Sequence, residues 1–214
     1  MKPFPRPNGL LAGAVMLAAS SMTVPAAELP RNLAVTAYDV GSSGYSQAVA
    51  VGAAFKNNLG VTLRVLPGKN DVSRLIPLRE GKVDFTFNGI GTYFAQEGVG
   101  DFGGKGWGPQ QTRLLLMSMG DNCATQFVAA DAGVKTLADL KGKRLVHVRG
   151  APGLNHNAYA HLRFGGLTWD DVQQVEVGGN AAAFEAIVND QADSFFSVTN
   201  SGSILKVQNS PRGI

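Results

Sequence analysis

The chain has 214 residues, 44% of them hydrophobic and 16% charged, with 27 glycines, 3 histidines and one cysteine. This composition supports a packed core and excludes a charge-driven disordered chain, a dense basic nucleic-acid face, a disulfide framework and a cysteine-rich zinc module. Lys2 and Arg6 supply two of the +3 net charges, so the remainder is nearly neutral and implies no partner. Residues 1–8 carry those two cations, 9–20 form an apolar run, and small residues follow to Val24-Pro25-Ala26-Ala27. This is the three-part pattern of a secretory signal, with cleavage expected after Ala26. The apolar run is too short for a stable membrane span. No later segment has enough continuous apolar residues either, so the mature chain is expected to be exported and not membrane-spanning.

Residues 33–38 read as a strand, followed by the loop Gly41-Ser42-Ser43-Gly44-Tyr45 and a helix marked by Ala48, Val51, Phe55 and Leu59. A second strand spans 61–66. A short helix over 71–80 contains Pro77, which should distort its last turn. A third strand spans 83–87. This alternation implies a parallel α/β sheet. Residues 98–110 form a Gly-rich loop. The literal G-x-G-x-x-G at Gly98-Val99-Gly100-Asp101-Phe102-Gly103 follows a helical stretch rather than a strand, so it is rejected as a dinucleotide site. Strands are expected at 113–119 and 126–130, with a crossing between lobes near 120–124. Further on, Thr136 caps a short helix at 137–140, and a strand spans 144–148. A loop at 149–153 leads to a helix at 154–164. Strand, helix and strand then occupy 174–177, 181–188 and 194–198.

The run Gly81-Lys82-Val83-Asp84-Phe85-Thr86-Phe87 has an echo in Asp190-Gln191-Ala192-Asp193-Ser194-Phe195-Phe196, which favours two similar α/β lobes. Ligands of such sheets bind at the carboxyl ends of the strands. In lobe one, Gly41, Ser42, Ser43, Gly44 and Tyr45 join a strand end to a helix start, where free N–H groups and the helix dipole favour an anion. Arg149, Gly150 and Gly153 take the matching place in lobe two, where Arg149 could fork onto a carboxylate. Each loop reads equally well as an ordinary turn. Asn88, Asn155, Ser197 and Thr199 complete the candidate ligand-binding set. His156 and His161 lie five apart, off one helix face. With no HExxH and no G-x-S-x-G elbow, neither a metal site nor a hydrolase nucleophile is expected. Cys123 reads as a small buried residue.

These residues together resemble the solute-binding proteins of tripartite ATP-independent periplasmic (TRAP) transporters, TAXI class. The resemblance rests on the Gly-Ser-Ser-Gly-Tyr loop, the helix at Asp71 leading into Val83-Asp84-Phe85, and the run from Gly133 through Leu140-Lys141-Gly142-Lys143-Arg144. The Pro152-Gly153 loop and Ala192-Asp193-Ser194-Phe195-Phe196 complete it. The family's second-lobe loop reads Pro-Gly-Ser-Gly-Thr where this chain has Pro152-Gly153-Leu154-Asn155-His156. The resemblance implies a type II periplasmic binding fold with a cleft between two α/β lobes. It also implies a small organic anion as ligand, delivery to a TRAP permease, no cofactor, no catalysis and a periplasmic location. The division expected is a signal at 1–26, lobe one at 27–121, lobe two at 122–198 and a return crossing at 199–214. The rest of lobe one is expected to be missing. The alternatives are the binding protein of an ABC importer for an aromatic or sulfonated anion and, from another class, an exported hydrolase.

Overall fold

A computed structural model describes residues 28–118 and 123–214. The expected signal at 1–26 lies outside the described residues. Two sheets organise them. The first has the order β2-β1-β3, all parallel, from β1 (Asn32–Ala37), β2 (Thr62–Pro67) and β3 (Phe85–Thr86). The second has the order β4-β7-β5-β6, from β4 (Ala124–Val128), β5 (Arg144–Val148), β6 (Gln173–Val177) and β7 (Ser194–Val198). In it β5 runs parallel to β6 and β7, while β4 is antiparallel to β7.

In lobe one, α1 (Ser43–Leu59) crosses from β1 to β2. Ser42 caps its start, and Gly60, at φ 68°, ends it in the left-handed conformation that glycine adopts without a Cβ penalty. Next comes α2 (Asp71–Arg79), opened by a reciprocal cap between Asn70 and Ser73, with Pro77 inside it. The short α3 (Gly91–Glu97) follows β3. Its end, Gly98, has φ 63°, and Gly100–Phe102 is a 3-10 turn. The literal glycine motif is thus a helix stop that drops Phe102 into the core, edge-on to Trp107 at 4.7 Å.

Lobe two holds the larger core. Strand alternation sends Val146 and Val148 to one face and Leu145 to the other. On the first face they meet Phe184 and Ile187 of α5 (Asn180–Val188) and Ile204 and Val207 of α6 (Gly202–Gln208). On the second, Leu145 packs with Leu162 of α4 (Pro152–Phe164) and with Leu140 and Leu167. Phe195 is fully buried between Phe127 and Phe184, a site at which burial contributes about 1.5–3 kcal/mol.

The internal echo has a physical basis. Asp84 donates its N–H to Ala34 O at 2.9 Å and accepts the Ala34 N–H on Oδ2 at 2.8 Å. Asp193 does the same to Arg144, at 2.8 and 2.9 Å. In each lobe one aspartate hooks the start of the neighbouring parallel strand through the same two bonds.

Several expectations are corrected. Residues 113–118 form no strand, and Met119 lies outside the described residues. Instead, Leu114, Leu115, Leu116 and Met117 are 61–78% exposed, and among the described residues no strand pairs with them. The third strand shrinks to Phe85–Thr86, β4 starts two residues early at Ala124, and Leu137–Leu140 is a 3-10 turn. The expected loop at 149–153 is shorter because α4 begins at Pro152, whose fixed φ suits a first helical position. Cys123 is exposed, not buried. Within 199–214, read as a return crossing, Gly202–Gln208 is helical.

Candidate functional site

The carboxyl ends of β1, β3, β5 and β7 face a junction between the lobes. In lobe one, Ser42 Oγ donates to Asp39 O at 2.6 Å and accepts the Tyr45 N–H at 3.2 Å. Its hydroxyl is committed to capping. Ser43 opens α1, and Ser43 and Tyr45 are half-buried. Gly44 carries no Cβ because one would collide with the Tyr38 ring. Gly41 has φ 89°, and a Cβ there would lie 3.2 Å from Ser203 Oγ of α6. The first loop therefore abuts lobe two directly.

Beneath this loop sits a polar cluster not singled out from the sequence. Arg74 is 2% exposed. Its guanidinium lies 3.8 Å from the centroid of the Tyr38 ring, a desolvated cation–π contact. Its Nε and Nη2 donate to Asn88 Oδ1 at 3.2 and 2.8 Å, and Nη1 donates to Gly68 O at 3.3 Å. Nη2 also pairs with the Asp71 carboxylate. The other Asp71 oxygen accepts the Gly153 N–H at the start of α4, at 2.8 Å. A Cβ on Gly91, the first residue of α3, would collide with the same carboxylate. Asp71 therefore sits where the starts of α2, α3 and α4 converge. Burial pushes its carboxyl above the ordinary carboxylate range, although Arg74 and the Gly153 N–H draw it down. Burial likewise raises the Tyr38 phenol, against the pull of Arg74.

Lobe two meets this cluster mainly through backbone. Gly150, at φ 70°, accepts the Val72 N–H at 3.0 Å, and Arg149 O accepts from Asn70 Nδ2 at 3.0 Å. A second junction forms at α5, where the Asn180 N–H donates to Lys69 O at 3.0 Å and the Ala181 N–H to Asp39 Oδ2 at 2.9 Å.

The remaining candidates divide clearly. The Arg149 side chain is 74% exposed and pairs with Glu176 at 2.8 Å, so the expected fork does not reach the junction. The pairing follows from the sheet: Glu176 on β6 stands opposite His147, two residues before Arg149. The Asn155 amide is consumed by Val148, whose N–H and C=O it meets at 2.9 Å each. Ser197 is 6% exposed and lies opposite Thr125 in the sheet. Thr199 is exposed, and its N–H donates to Cys123 O at 3.0 Å. Asn88 does reach the junction, and its Nδ2 is buried with no hydrogen-bond partner among the described residues. So is the Oγ of Ser201, 4% exposed in the turn after β7. Gly202, its neighbour, abuts Gly41 O.

Beside the junction an open hollow of about 250 Å³ is lined by Phe94 of α3 and by Pro152, Asn155, His156, Tyr159 and Trp169. The histidines are dispersed: His147 meets Trp169 edge-on at 5.3 Å, His156 meets Phe94 at 5.5 Å and His161 meets Phe196 at 5.5 Å. Among the described residues no group of three His, Cys, Asp or Glu side chains could hold a metal ion, and no helix is long and apolar enough to cross a membrane.

Asp39, Asp71, Arg74 and Ser201 escaped sequence reasoning. A readable signal existed for one pair: Asp71 and Arg74 stand three apart at the head of a helix that follows Pro67-Gly68, a spacing that lets them pair.

Residues 114–212 match the family described as NMT1/THI5 like. The fold is similar to that of the alkanesulfonate-binding protein SsuA from Xanthomonas axonopodis pv. citri bound to MOPS. The TM-score is 0.55 at 17% identity, over 83% of this chain and 62% of that one. It is also similar to the periplasmic aliphatic sulphonate binding protein SsuA from Escherichia coli, with TM-score 0.51 and 20% identity, over 85% of this chain and 55% of that one. A third likeness is to the amino acid ABC transporter substrate-binding protein AbpA from Streptococcus pneumoniae bound to L-arginine. There the TM-score is 0.60 at 13% identity, over 85% and 73% of the two chains. The chain thus spans 55–62% of the length of the two sulfonate-binding proteins. The fold is that of a type II periplasmic binding protein, two α/β lobes with a cleft between them.

Proposed function

We propose that this chain is an extracytoplasmic solute-binding protein that holds a small organic anion between its lobes for delivery to a membrane importer. One observation carries the reading: the N–H that opens α4 already holds a carboxylate, that of Asp71, at the junction between the lobes. A helix start with unpaired N–H groups and a positive dipole end suits such a group. The unpaired Asn88 Nδ2 and Ser201 Oγ, buried at strand ends of opposite lobes, are polar groups that a ligand would satisfy. Gly41, Ser43, Gly44, Tyr45, Gly150 and Gly153 frame the same place. Under this reading the chain binds without catalysis or cofactor, and lobe one, at 27–121, meets lobe two, at 122–198, on whose core α6 of the following segment packs.

For the permease we favour an ABC importer, since the similar structures include two sulfonate-binding proteins and an ABC transporter amino-acid binder. The second reading is delivery to a TRAP permease, supported by the Gly-Ser-Ser-Gly-Tyr loop and the paired aspartate hooks at Asp84 and Asp193.

A thermal-shift screen tests the ligand class, because binding raises apparent stability by mass action. Ethanesulfonate, MOPS, succinate and benzoate are expected to raise the melting temperature, and glucose and putrescine to leave it unchanged. A response to putrescine or glucose with none to the anions would overturn the reading.

A further inference from the structure

The two long helices that start at the junction from lobe two, α4 and α5, carry no side-chain cap of their own. Each is capped from the opposite lobe by an aspartate. Asp71 takes the Gly153 N–H of α4 at 2.8 Å, and Asp39 takes the Ala181 N–H of α5 at 2.9 Å. The segment between these contacts follows the same rule: Lys69 O takes the Asn180 N–H, and Asn70 and Val72 donate to Arg149 O and Gly150 O. Helix starts are usually capped by a residue adjacent in sequence, because a local cap costs little ordering. Here the caps lie far away in the chain, so they form only when the lobes meet. Each bond also places negative charge against a positive dipole end.

We infer that Asp39 and Asp71 form a paired latch that holds the two lobes together by occupying the two helix starts an entering anion would use. The latch is an internal ligand. Opening exposes the α4 and α5 starts together, and a sulfonate or carboxylate then competes with the aspartates for the same N–H groups. This second step rests on the function proposed above; the first does not.

The test separates the two. Spin labels at Asn57→Cys and Lys141→Cys, in a Cys123→Ser background, report the distance between the lobes without any ligand. Asp39→Ala and Asp71→Ala should each lengthen or broaden that distance, and Asp39→Asn, which keeps an acceptor, should restore it. Asp39 is half-buried at the junction, so its variants keep the fold even if Asp71→Ala, next to buried Arg74, does not. An unchanged distance in Asp39→Ala overturns the latch. Ethanesulfonate titrated into the same proteins should bind several-fold tighter once either aspartate is replaced. Weaker binding would overturn the competition. Opening without any anion binding would overturn the proposed function and leave the latch standing.

Discussion

At Asp71 burial raises the carboxyl pKa while Arg74 and the Gly153 N–H lower it, and burial prevails. At Asp193 the balance is reversed. Arg144 donates to it from Nε at 3.1 Å and Nη2 at 2.7 Å, Arg212 Nη2 adds a bond at 2.8 Å, and the carboxyl falls well below its ordinary range. The two aspartates therefore respond to acid with opposite sign. A folded-state pKa above the unfolded one means that the native state binds the proton more tightly, so the burden of charged Asp71 eases as pH falls toward the carboxylate range. A depressed pKa means that Asp193 stabilises above its unfolded value of about 4 and loses that contribution as pH falls below it. Denaturant melts from pH 7 to pH 3 check this. Relative to wild type, Asp71→Asn should improve as pH rises, whereas Asp193→Asn should worsen. Parallel trends would contradict the assignment.

The strength of α4 as an element lies in its first turn. Pro152 presets its start, and three residues later Asn155 turns back and pairs with both backbone groups of Val148, fixing the helix to the end of β5. Asn155→Ala would take the side-chain acceptor from the Val148 N–H, at about 1–3 kcal/mol, while the Val148 C=O would keep the Ala151 N–H at 3.2 Å. The expected outcome is a lower denaturation midpoint with an unchanged slope. Asn155→Asp should recover part of the loss by accepting the Val148 N–H alone. The bounds of β5 and β7 were legible in the sequence because turn residues flank compact apolar runs, as Gly142-Lys143 does before Arg144. The start of α4 was not, since Pro152 reads equally as loop or as first helical residue. The role of Asn155 was hidden for a related reason: a polar residue near a glycine loop looks like a ligand contact until the backbone group that consumes it is located. Arg149 was misplaced because Glu176 lies far off in sequence and meets it only through the register of β5 with β6. Asp71 and Arg74 escaped notice because charge on a short helix reads as solvated surface, and only the packing of three helix starts encloses it.

Across the whole molecule the lobes are unequal. Lobe two covers both faces of a four-stranded sheet, while lobe one has three strands and a small cluster around Leu75, Ala95 and Phe102. Leu114, Leu115, Leu116 and Met117 lie exposed in a stretch with no assigned helix or strand. The sequence shows an apolar run there but not whether a strand lies beside it, and strand formation depends on that partner. An exposed apolar segment of this size invites association between chains. Light scattering of this chain should therefore show concentration-dependent association, and Leu115→Lys with Met117→Lys should reduce it. No change would mean that the segment is shielded in solution. The aromatic contacts have a consequence of another kind. Of the chain's two tryptophans, Trp107 sits in lobe one edge-on to Phe102 and under Arg79, and Trp169 sits in lobe two against His147. Intrinsic fluorescence is thus divided between the halves of the molecule. A single-tryptophan variant of either kind turns emission into a label-free report on one half, and the two curves coincide only if both halves melt as one cooperative unit.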